Sequence, residues 1–487
     1  MVAFPFRQIL SCIAPATMLH LAACASIPDV GPRPGLRAAD TVAASQSLTP
    51  ASAQWPQDSW WIGYGDAQLS DLIAEGLQGS PDLAAAAARF RQATAYAQQA
   101  GAALLPTLDA QGDVSLEKQS YNNGFPRNFL PQGWQDTGQA ALRLDFDLDL
   151  WGRNRAALAA ATSQAVAAQI DARQARLLLT TGIATAYADL AQLHAVRDIA
   201  QSALIIRTAT RKQVDDRVSA GLDTRGDLRQ ADSGASAARA DLAAADEAIA
   251  LRRNQIAALI GAGPDRGLAI TRPTLAALAP RGLPAGVTTD LVGRRPDIAA
   301  ARARAQAAAS RIRVARADFF PAINLSALVG MQSLGLDNLV KSGSTFGSVG
   351  PAVSLPIFRG GALAGQYRGA RADYDEAVAD YDRAVVEAYR DVADVLTSQQ
   401  MLGRRLAESR AALAAAEDAY AIARKRYEGG LSTYIAVLTI EEKLLQARQA
   451  VATLDSRAFA LDVALVRALG GGFAVGDLST LKDDPNG

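Results

Sequence analysis

Aspartate residues at alternate positions are the most chemically suggestive feature of this 487-residue sequence. Asp145, Asp147 and Asp149 are separated by the apolar residues Phe146 and Leu148. A period of two places successive side chains on opposite faces of a β-strand, so the three carboxylates would share one face. Carboxylates in such a row require water, and scattered aspartates are far more often solvent-facing than paired as catalytic acids. The pattern therefore predicts a wetted acidic surface, which favours cations, and not a catalytic pair.

The sequence contains no common motif for catalysis or metal binding. HExxH, GxSxG and P-loop patterns are absent, and two histidines, His20 and His194, are too few for a histidine metal cluster. Both cysteines, Cys12 and Cys24, lie near the N-terminus, which leaves none for a metal site elsewhere. The 49 basic residues balance 49 acidic ones without a basic stripe. We expect a protein that is not an enzyme and has no cofactor, metal or nucleic-acid partner.

Four short segments alternate apolar and polar residues as β-strands do. They lie at 107–117 and 139–150 and, later in the chain, at 322–331 and 348–357. Such lengths suit a tilted bilayer crossing, and an apolar face opposite a polar one is typical of a transmembrane β-barrel. The residues that would then face the lumen are Asp109, Asp113, Arg143, Asp145, Asp147 and Asp149. Two amphipathic hairpins on a soluble core would give the same local pattern.

Two features favour membrane crossing over a soluble core. The segment 139–150 combines a carboxylate-rich face with an apolar one, and no long apolar helical run follows the N-terminal region. Four strands cannot close a barrel wide enough to pass water, and an open sheet edge in lipid would leave backbone groups without partners. If these strands cross a membrane, several chains must share one barrel, and three chains would give twelve strands.

Long proline-free stretches predict very long helices. Apolar and small residues recur at helical spacing over 154–220 and over 362–428, and second helices follow at 227–260 and 433–469. A helix of 67 residues would be about 100 Å long. Shorter helices are expected at 67–79, 81–104 and 296–318. The predicted fold class is mainly α with a transmembrane β part.

The elements occur in the same order twice. Ser80-Pro81-Asp82 recurs as Arg295-Pro296-Asp297, a shift of 215 residues, and Arg217-x-x-x-Gly221-Leu222-x-Thr224 recurs as Arg426-x-x-x-Gly430-Leu431-x-Thr433, a shift of 209. Offsets that hold at separated anchors indicate a tandem duplication. The predicted repeats span 66–263 and 295–472, with a linker at 264–294 and a C-terminal tail at 473–487.

The N-terminal residues have the character of a secretory signal. Arg7 precedes a mostly apolar stretch, which ends in Leu21-Ala22-Ala23-Cys24 and resembles a bacterial lipobox. We expect a signal peptide at 1–23, acylation of Cys24 with fatty acids such as palmitate, and an extended tether over 24–65. A plain signal peptide with an incidental cysteine is the alternative.

Taken in order, these features resemble the TolC-like outer-membrane factor family, in the lipoprotein branch that serves RND multidrug pumps. The resemblance covers about residues 55–472 and includes Trp151-Gly152-Arg153 after the second strand and the paired Val218-x-x-Gly221 and Tyr427-x-x-Gly430 turns. It implies a homotrimer with an outer-membrane β-barrel and a long periplasmic α-helical barrel. A periplasmic adaptor and an inner-membrane RND pump would dock below it. The protein would be lipid-anchored in the outer membrane of a Gram-negative bacterium.

The resemblance also directs attention to two helix–turn–helix corners, the first corner at 220–229 and the second corner at 428–439. Charged and hydrogen-bonding residues there would close the entrance; the candidates are Asp223, Arg225, Asp227, Arg229, Arg426, Tyr427, Glu428 and Tyr434. The adaptor would dock on Val218, Gly221, Leu222, Tyr427, Gly430 and Leu431. Ala436 and Thr439 stand where some relatives carry an acidic ring, so Asp227 is the expected ring former. The alternative is that Asp227 only offsets a helix dipole.

Two other functions remain open at this stage. The first is a channel of the same architecture that exports proteins or oligosaccharides. The second is a trimeric coiled-coil stalk without a pore, which would require sustained heptads and no alternating strands.

Overall fold

The computed structural model describes residues 26–38, 41–49, 53–122, 124, 126–274, 281–474 and 476. The predicted signal peptide, Cys24 and most of the predicted tail lie outside the described residues. The chain divides into two compact units. Unit 1 comprises Met1–Leu36, Arg89–Ala168 and Ala301–Tyr381, and unit 2 comprises Arg37–Ala88, Gln169–Ala300 and Asp382–Gly487.

Helices dominate the described part of the chain. The first repeat contains α1 (Ala67–Gly79), α2 (Pro81–Ala102), α3 (Arg153–Ser219) and α4 (Arg225–Leu259). The second contains α7 (Pro296–Ala317), α8 (Ala362–Glu428) and α9 (Tyr434–Ala468). Between them lie α5 (Pro264–Leu268) and α6 (Val287–Arg294). Both long helices have 67 residues, as predicted, and start within one residue of the expected position.

No helix among the described residues is both long enough and apolar enough to span a membrane. The same residues hold no group of three or more His, Cys, Asp or Glu side chains that could bind a metal ion.

Unit 1 contains one antiparallel sheet of four strands in the order β1-β2-β3-β4. The strands are β1 (Thr107–Glu117), β2 (Gln135–Asp147), β3 (Ala322–Leu334) and β4 (Thr345–Ser354). The pairing of β2 with β3, in which Leu142 lies opposite Val329, joins the two repeats in one sheet. The outer edges of β1 and β4 have no strand partner among the described residues.

The predicted boundaries of three strands were wrong, at five positions in all. β2 starts four residues earlier than predicted and ends at Asp147 rather than at 150, and β3 extends to Leu334 because Thr137 of the lengthened β2 pairs with it. β4 runs three residues earlier than predicted and ends before Pro356, which has no N–H to donate to a strand.

The segment predicted as a tether is packed where it is described. In unit 1, Ile27 and Val30 contact a cluster that includes Phe319 and Tyr367, and Arg371 Nη2 donates to the carbonyls of Gly31 and Pro32 at 3.2 and 3.1 Å. In unit 2, a 3₁₀-helix at Trp60–Tyr64 buries three aromatic side chains. The prediction of an extended tether over 24–65 is therefore wrong for these residues, because their apolar side chains find a core.

The predicted linker at 264–294 is also partly ordered into helices. α5 begins with Pro264, whose fixed φ suits the first position of a helix, and α6 follows Gly286. The core of unit 2 lies beside these elements and contains fully buried Leu69, Ile183 and Ile256. Both helices thus belong to the packed unit and do not form a free connection.

Candidate functional site at the helix corners

The two corners have the same backbone geometry. Gly221 and Gly430 adopt positive φ values of 75° and 73°. In the first corner, Leu222 N donates to the carbonyl of Arg217 at 2.8 Å, and Gly221 N donates to that of Val218 at 3.0 Å. These two bonds form the Schellman ending of α3. The prediction that both turns need a left-handed residue, which glycine adopts without strain, is confirmed.

Asp223 connects the first corner to the end of α8. Arg217 donates to it through two nitrogens, Nε to Oδ2 at 2.9 Å and Nη2 to Oδ1 at 3.2 Å, and Tyr427 Oη donates to Oδ2 at 2.7 Å. The Arg217 guanidinium also lies 4.9 Å from the centre of the Tyr427 ring. We call this set of three residues the corner tie. Because the carboxylate accepts all three bonds, its loss would leave both partners without their shared acceptor.

The protonation states of the corner tie are well defined. Hydrogen bonding to Arg217 lowers the pKa of Asp223, whereas burial, followed by the bond to Asp223, raises the pKa of Tyr427 well above its usual range. Asp223 is therefore an anion and Tyr427 a neutral donor across the physiological pH range. Charge-assisted bonds of this kind are stronger than bonds between neutral groups.

An apolar cluster packs around Tyr427 of the corner tie. Tyr427 packs with Tyr434 at 6.1 Å between ring centres, and Val214, Ala231 and Val437 complete the buried group. Tyr434 is 2% exposed, so this entrance candidate lies in the core of the corner and not on its surface. Burial raises its pKa to about 12.

The second corner lacks the charged contacts of the first. Ser432 occupies the position equivalent to Asp223, and Thr433, at the N-cap of α9, makes no capping bond through its side chain. Glu428 pairs within its own helix with Arg424 at 3.2 Å, and Arg426 is exposed.

Of the side chains predicted to meet an adaptor, the two leucines are accessible, whereas Tyr427 is 1% exposed and Val218 packs against the same buried cluster, so the structure does not present Tyr427 as a docking surface. Leu222 and Leu431 are 66% and 72% exposed. In the first corner, Arg225 is exposed, and Arg229 pairs with Asp232 at 3.4 Å.

Asp227 is engaged at the end of its own helix. Its Oδ2 accepts from Thr224 N at 3.0 Å and from Thr224 Oγ1 at 2.6 Å, while Asp227 N donates back to Thr224 Oγ1 at 3.2 Å. This is a capping box at the start of α4. Asp227 therefore makes the helix-capping contacts that were the alternative to ring formation, and Asp223 is the carboxylate that contacts Tyr427 at the end of α8.

Replacing Asp227 by alanine should loosen the first turn of α4 without opening the corner. The lost cap and dipole contact is worth about 1 kcal/mol or less. Hydrogen exchange of the amides at 225–228 should accelerate, whereas conductance should stay at the wild-type level. Asp216→Ala is the control, because Asp216 is exposed and pairs only with Lys212 in the contacts described. A clear rise in conductance for Asp227→Ala would restore Asp227 as the closing residue.

Five of the six predicted lumen residues lie on one face of the sheet. Asp109 is opposite Arg143, Asp113 is opposite Gln139, and Arg143 Nε donates to Asp145 Oδ2 at 2.6 Å. Asp147 follows on the same face and accepts from Asn154 Nδ2 at 3.0 Å. On β3 and β4 this face is uncharged; its polar residues include Asn324, Ser326 and Ser348.

Asp149 is the exception, and its assignment to the polar strand face was wrong. It follows the end of β2 with a φ of 45°, is 8% exposed, and accepts from the backbone N–H groups of Asn154 and Arg155 at 2.8 and 3.0 Å. Aspartate tolerates this left-handed conformation better than most residues. Asp149 therefore caps the start of α3 and does not line the polar face.

One charged contact near the corners was not predicted from the sequence. Arg207 of α3 and Glu441 of α9 form a buried ion pair at 2.8 Å. The available signal was an acidic residue in the apolar stripe of α9, where Val437 and Leu444 are its buried neighbours at helical spacing.

Comparison with known proteins decides the family. The model of the outer membrane efflux protein family matches residues 72–262, within the first predicted repeat, and residues 288–471, which cover the end of the predicted linker and the second repeat. The chain belongs to this family. It is therefore an outer-membrane efflux channel and not an enzyme, and the resemblance inferred from the sequence is confirmed.

Individual members of the family agree with this assignment over most of the chain. The structure of the outer membrane protein VceC from Vibrio cholerae is 44% identical, with a TM-score of 0.80, and the match covers 86% of this chain and 100% of VceC. The fusaric acid resistance protein FusA of Burkholderia cepacia is 36% identical over 365 residues, 73% of this chain and 68% of FusA. The multidrug resistance outer membrane protein MdtP of Escherichia coli O6:H1 is 29% identical over 476 residues, 96% of this chain and 97% of MdtP.

Proposed function

We propose that three copies of this chain form the exit channel of a tripartite efflux system. The observation that carries the proposal is the four-stranded sheet, whose two outer edges lack strand partners among the described residues and whose faces differ in polarity. Joining β4 of one chain to β1 of the next would satisfy both edges and close a barrel of twelve strands. The face with Asp109, Asp145 and Asp147 would line the lumen, and the apolar face would contact lipid.

The helices would extend this channel into the periplasm. α3 and α8 each have 67 residues, a length of about 100 Å, and α4 and α9 return from the two corners. Three chains arranged about one axis would give a continuous α-helical wall below the barrel. The tandem repeat would then supply two similar helical hairpins per chain, the first hairpin formed by α3 and α4 and the second hairpin by α8 and α9.

The partners are proposed to meet at the two corners. An RND-type inner-membrane pump and a periplasmic adaptor would deliver solutes, and the adaptor would contact the exposed Leu222 and Leu431 beside Gly221 and Gly430. The names of FusA and MdtP associate those relatives with resistance to fusaric acid and to multiple drugs. By analogy, the exported compounds would be drugs or other small toxic molecules.

The corner tie is proposed to hold the entrance closed. Asp223 binds Arg217 at the end of α3 and Tyr427 at the end of α8, so separating the two hairpins would break a charge-assisted bond. A wide channel must not bind its solutes tightly, so control at a narrow entrance leaves the rest of the lumen free for conduction.

The proposed function can be tested with the purified full-length protein. We expect trimers in detergent, ion conduction in planar bilayers, and increased drug susceptibility of a deletion strain, which the plasmid-borne gene restores. Secretion of proteins or oligosaccharides should be unchanged in the same strain. A monomer that never conducts, or a deletion phenotype limited to protein or oligosaccharide export, would contradict the proposal.

Cys24 is proposed to carry the lipid anchor. Cys24→Ser should remove the acyl groups, detectable by intact mass, and lower the fraction of protein retained in outer-membrane pellets, because several acyl chains together anchor stably. Ser26→Ala, two residues away, is the matched control. An unchanged mass and unchanged retention would show that the residue is not acylated.

A further inference from the structure

A buried ion pair connects the first and second helical hairpins at a distance from the corner tie. Arg207 Nε of α3 lies 2.8 Å from Glu441 Oε1 of α9, and their side chains are 13% and 2% exposed. Arg207 Nη1 also donates to the carbonyl of Gly234 in α4 at 3.4 Å. The guanidinium of Arg207, on α3, therefore contacts both α4 and α9.

The surroundings of Glu441 give it no other cation at hydrogen-bond distance in the described contacts. It lies in the buried stripe of α9 between Val437 and Leu444, and Tyr420 of α8 packs against the same apolar cluster as Val437. Burial raises the pKa of Glu441, and the Arg207 bond acts against that rise. A buried carboxylate without such a partner is strongly disfavoured.

The two hairpins pair their equivalent acidic residues with a cation in different ways. Aligning the corners by Gly221 and Gly430 makes Asp232 equivalent to Glu441, and Arg211 equivalent to Tyr420. In the first hairpin, Arg211 Nε donates to Asp232 Oδ1 at 2.8 Å, so the pair is internal and partly exposed. In the second hairpin a tyrosine replaces the arginine, and Glu441 obtains its cation from α3 instead.

We propose that Arg207 and Glu441 form a latch. The latch positions the second hairpin against the first and acts together with the corner tie. The inference rests on the proposed function, since it assigns the pair to closure of the entrance. Closed hairpins pair both charges, and separated hairpins hydrate both. A variant with one charge removed leaves the other buried without its partner, and the chain relieves that cost by separating the hairpins.

The decisive measurement is the single-channel conductance of full-length trimers. Glu441→Gln keeps the shape of the side chain and removes its charge, and we expect a several-fold rise in mean conductance. The charge-exchanged variant Arg207→Glu/Glu441→Arg should return the conductance towards the wild-type level. Asp232→Asn is the matched control, because it breaks the equivalent pair inside one hairpin, and its conductance should not change.

A distance measurement reports the hairpin positions directly. Spin labels at Ile205→Cys on α3 and Lys443→Cys on α9, both exposed positions, should show a longer and broader distribution in Glu441→Gln than in Asp232→Asn. Should Glu441→Gln fail to assemble, Arg207→Lys retains both charges but cannot donate to Glu441 and Gly234 together. It should give a smaller rise in conductance.

The outcomes separate this inference from the proposed function. Wild-type trimers that do not conduct would contradict the proposed function. A second outcome is that the wild-type trimers conduct while Glu441→Gln, or Arg207→Lys in its place, leaves conductance and spin-label distance unchanged. That result would contradict only the latch. An equal rise in Asp232→Asn, or no recovery in the charge-exchanged variant, would also overturn it.

Discussion

Asp223→Ala is expected to raise the single-channel conductance of the trimer several-fold. The substitution removes the shared acceptor of Arg217 and Tyr427, whose bonds to Asp223 measure 2.9 and 2.7 Å. A hydrogen bond to a charged group typically contributes about 1.5–3 kcal/mol, and each trimer would lose three copies of the corner tie. Planar-bilayer recordings of wild-type and variant protein at the same salt concentration provide the measurement.

Two comparisons test whether the corner tie is the cause. Tyr427→Phe removes only the bond between the hairpins and should give a smaller rise, while Asp216→Ala, at an exposed position outside the tie, should give none. Because the folded-state pKa of Asp223 is lowered, the tie is fully present above the ordinary aspartate pKa of about 3.9 and is lost only below it. Conductance should therefore be independent of this group between neutral pH and about pH 5. Equal conductance of Asp223→Ala and wild type would contradict the assignment.

Val329→Arg is expected to abolish insertion into the outer membrane. Val329 lies within β3 on the apolar face, is 62% exposed, and faces Leu142 of β2 and Gly347 of β4. An arginine on the lipid face near the bilayer centre costs about 2–4 kcal/mol per chain, and the trimer would carry three. The measurement is the amount of heat-resistant trimer in outer-membrane fractions.

The control for Val329→Arg uses the opposite face of the same strand. Ser326 lies opposite Asp145 on the polar face, so Ser326→Arg should insert as well as the wild type. Should both arginine variants insert equally, the apolar face does not contact lipid, and the barrel proposal would lose its main support.

The long helices were predictable because their extent follows from helical periodicity in sequence without proline. Proline-free sequence with helical spacing gave the 67-residue helices to within one residue. The end of β2 was not predictable from alternation alone, because the pattern continues through Leu148 and Leu150 although the backbone turns away at Asp149. The competing factor was the capping of α3, which depends on hydrogen bonds that a period-two pattern does not record.

Contacts between distant residues were the other limit of sequence reasoning. Arg207 and Glu441 are 234 residues apart, and each is an ordinary charged residue of a helix until the other hairpin packs against it. The corner glycines were predictable because positive φ is a local property. The role of Asp223 was only half predictable, since its partner Tyr427 lies at the end of α8.

The uneven charge of the sheet has a consequence for how the pore is made. The hairpin of β1 and β2 carries the carboxylates, whereas that of β3 and β4 presents asparagine and serine on the same face. Since one polypeptide encodes both hairpins, the proposed trimeric barrel would receive them in equal number and in strict alternation. Six separate half-length chains could mix in any ratio and produce walls of variable charge, whereas covalent fusion would fix the ionic character of each proposed pore at translation.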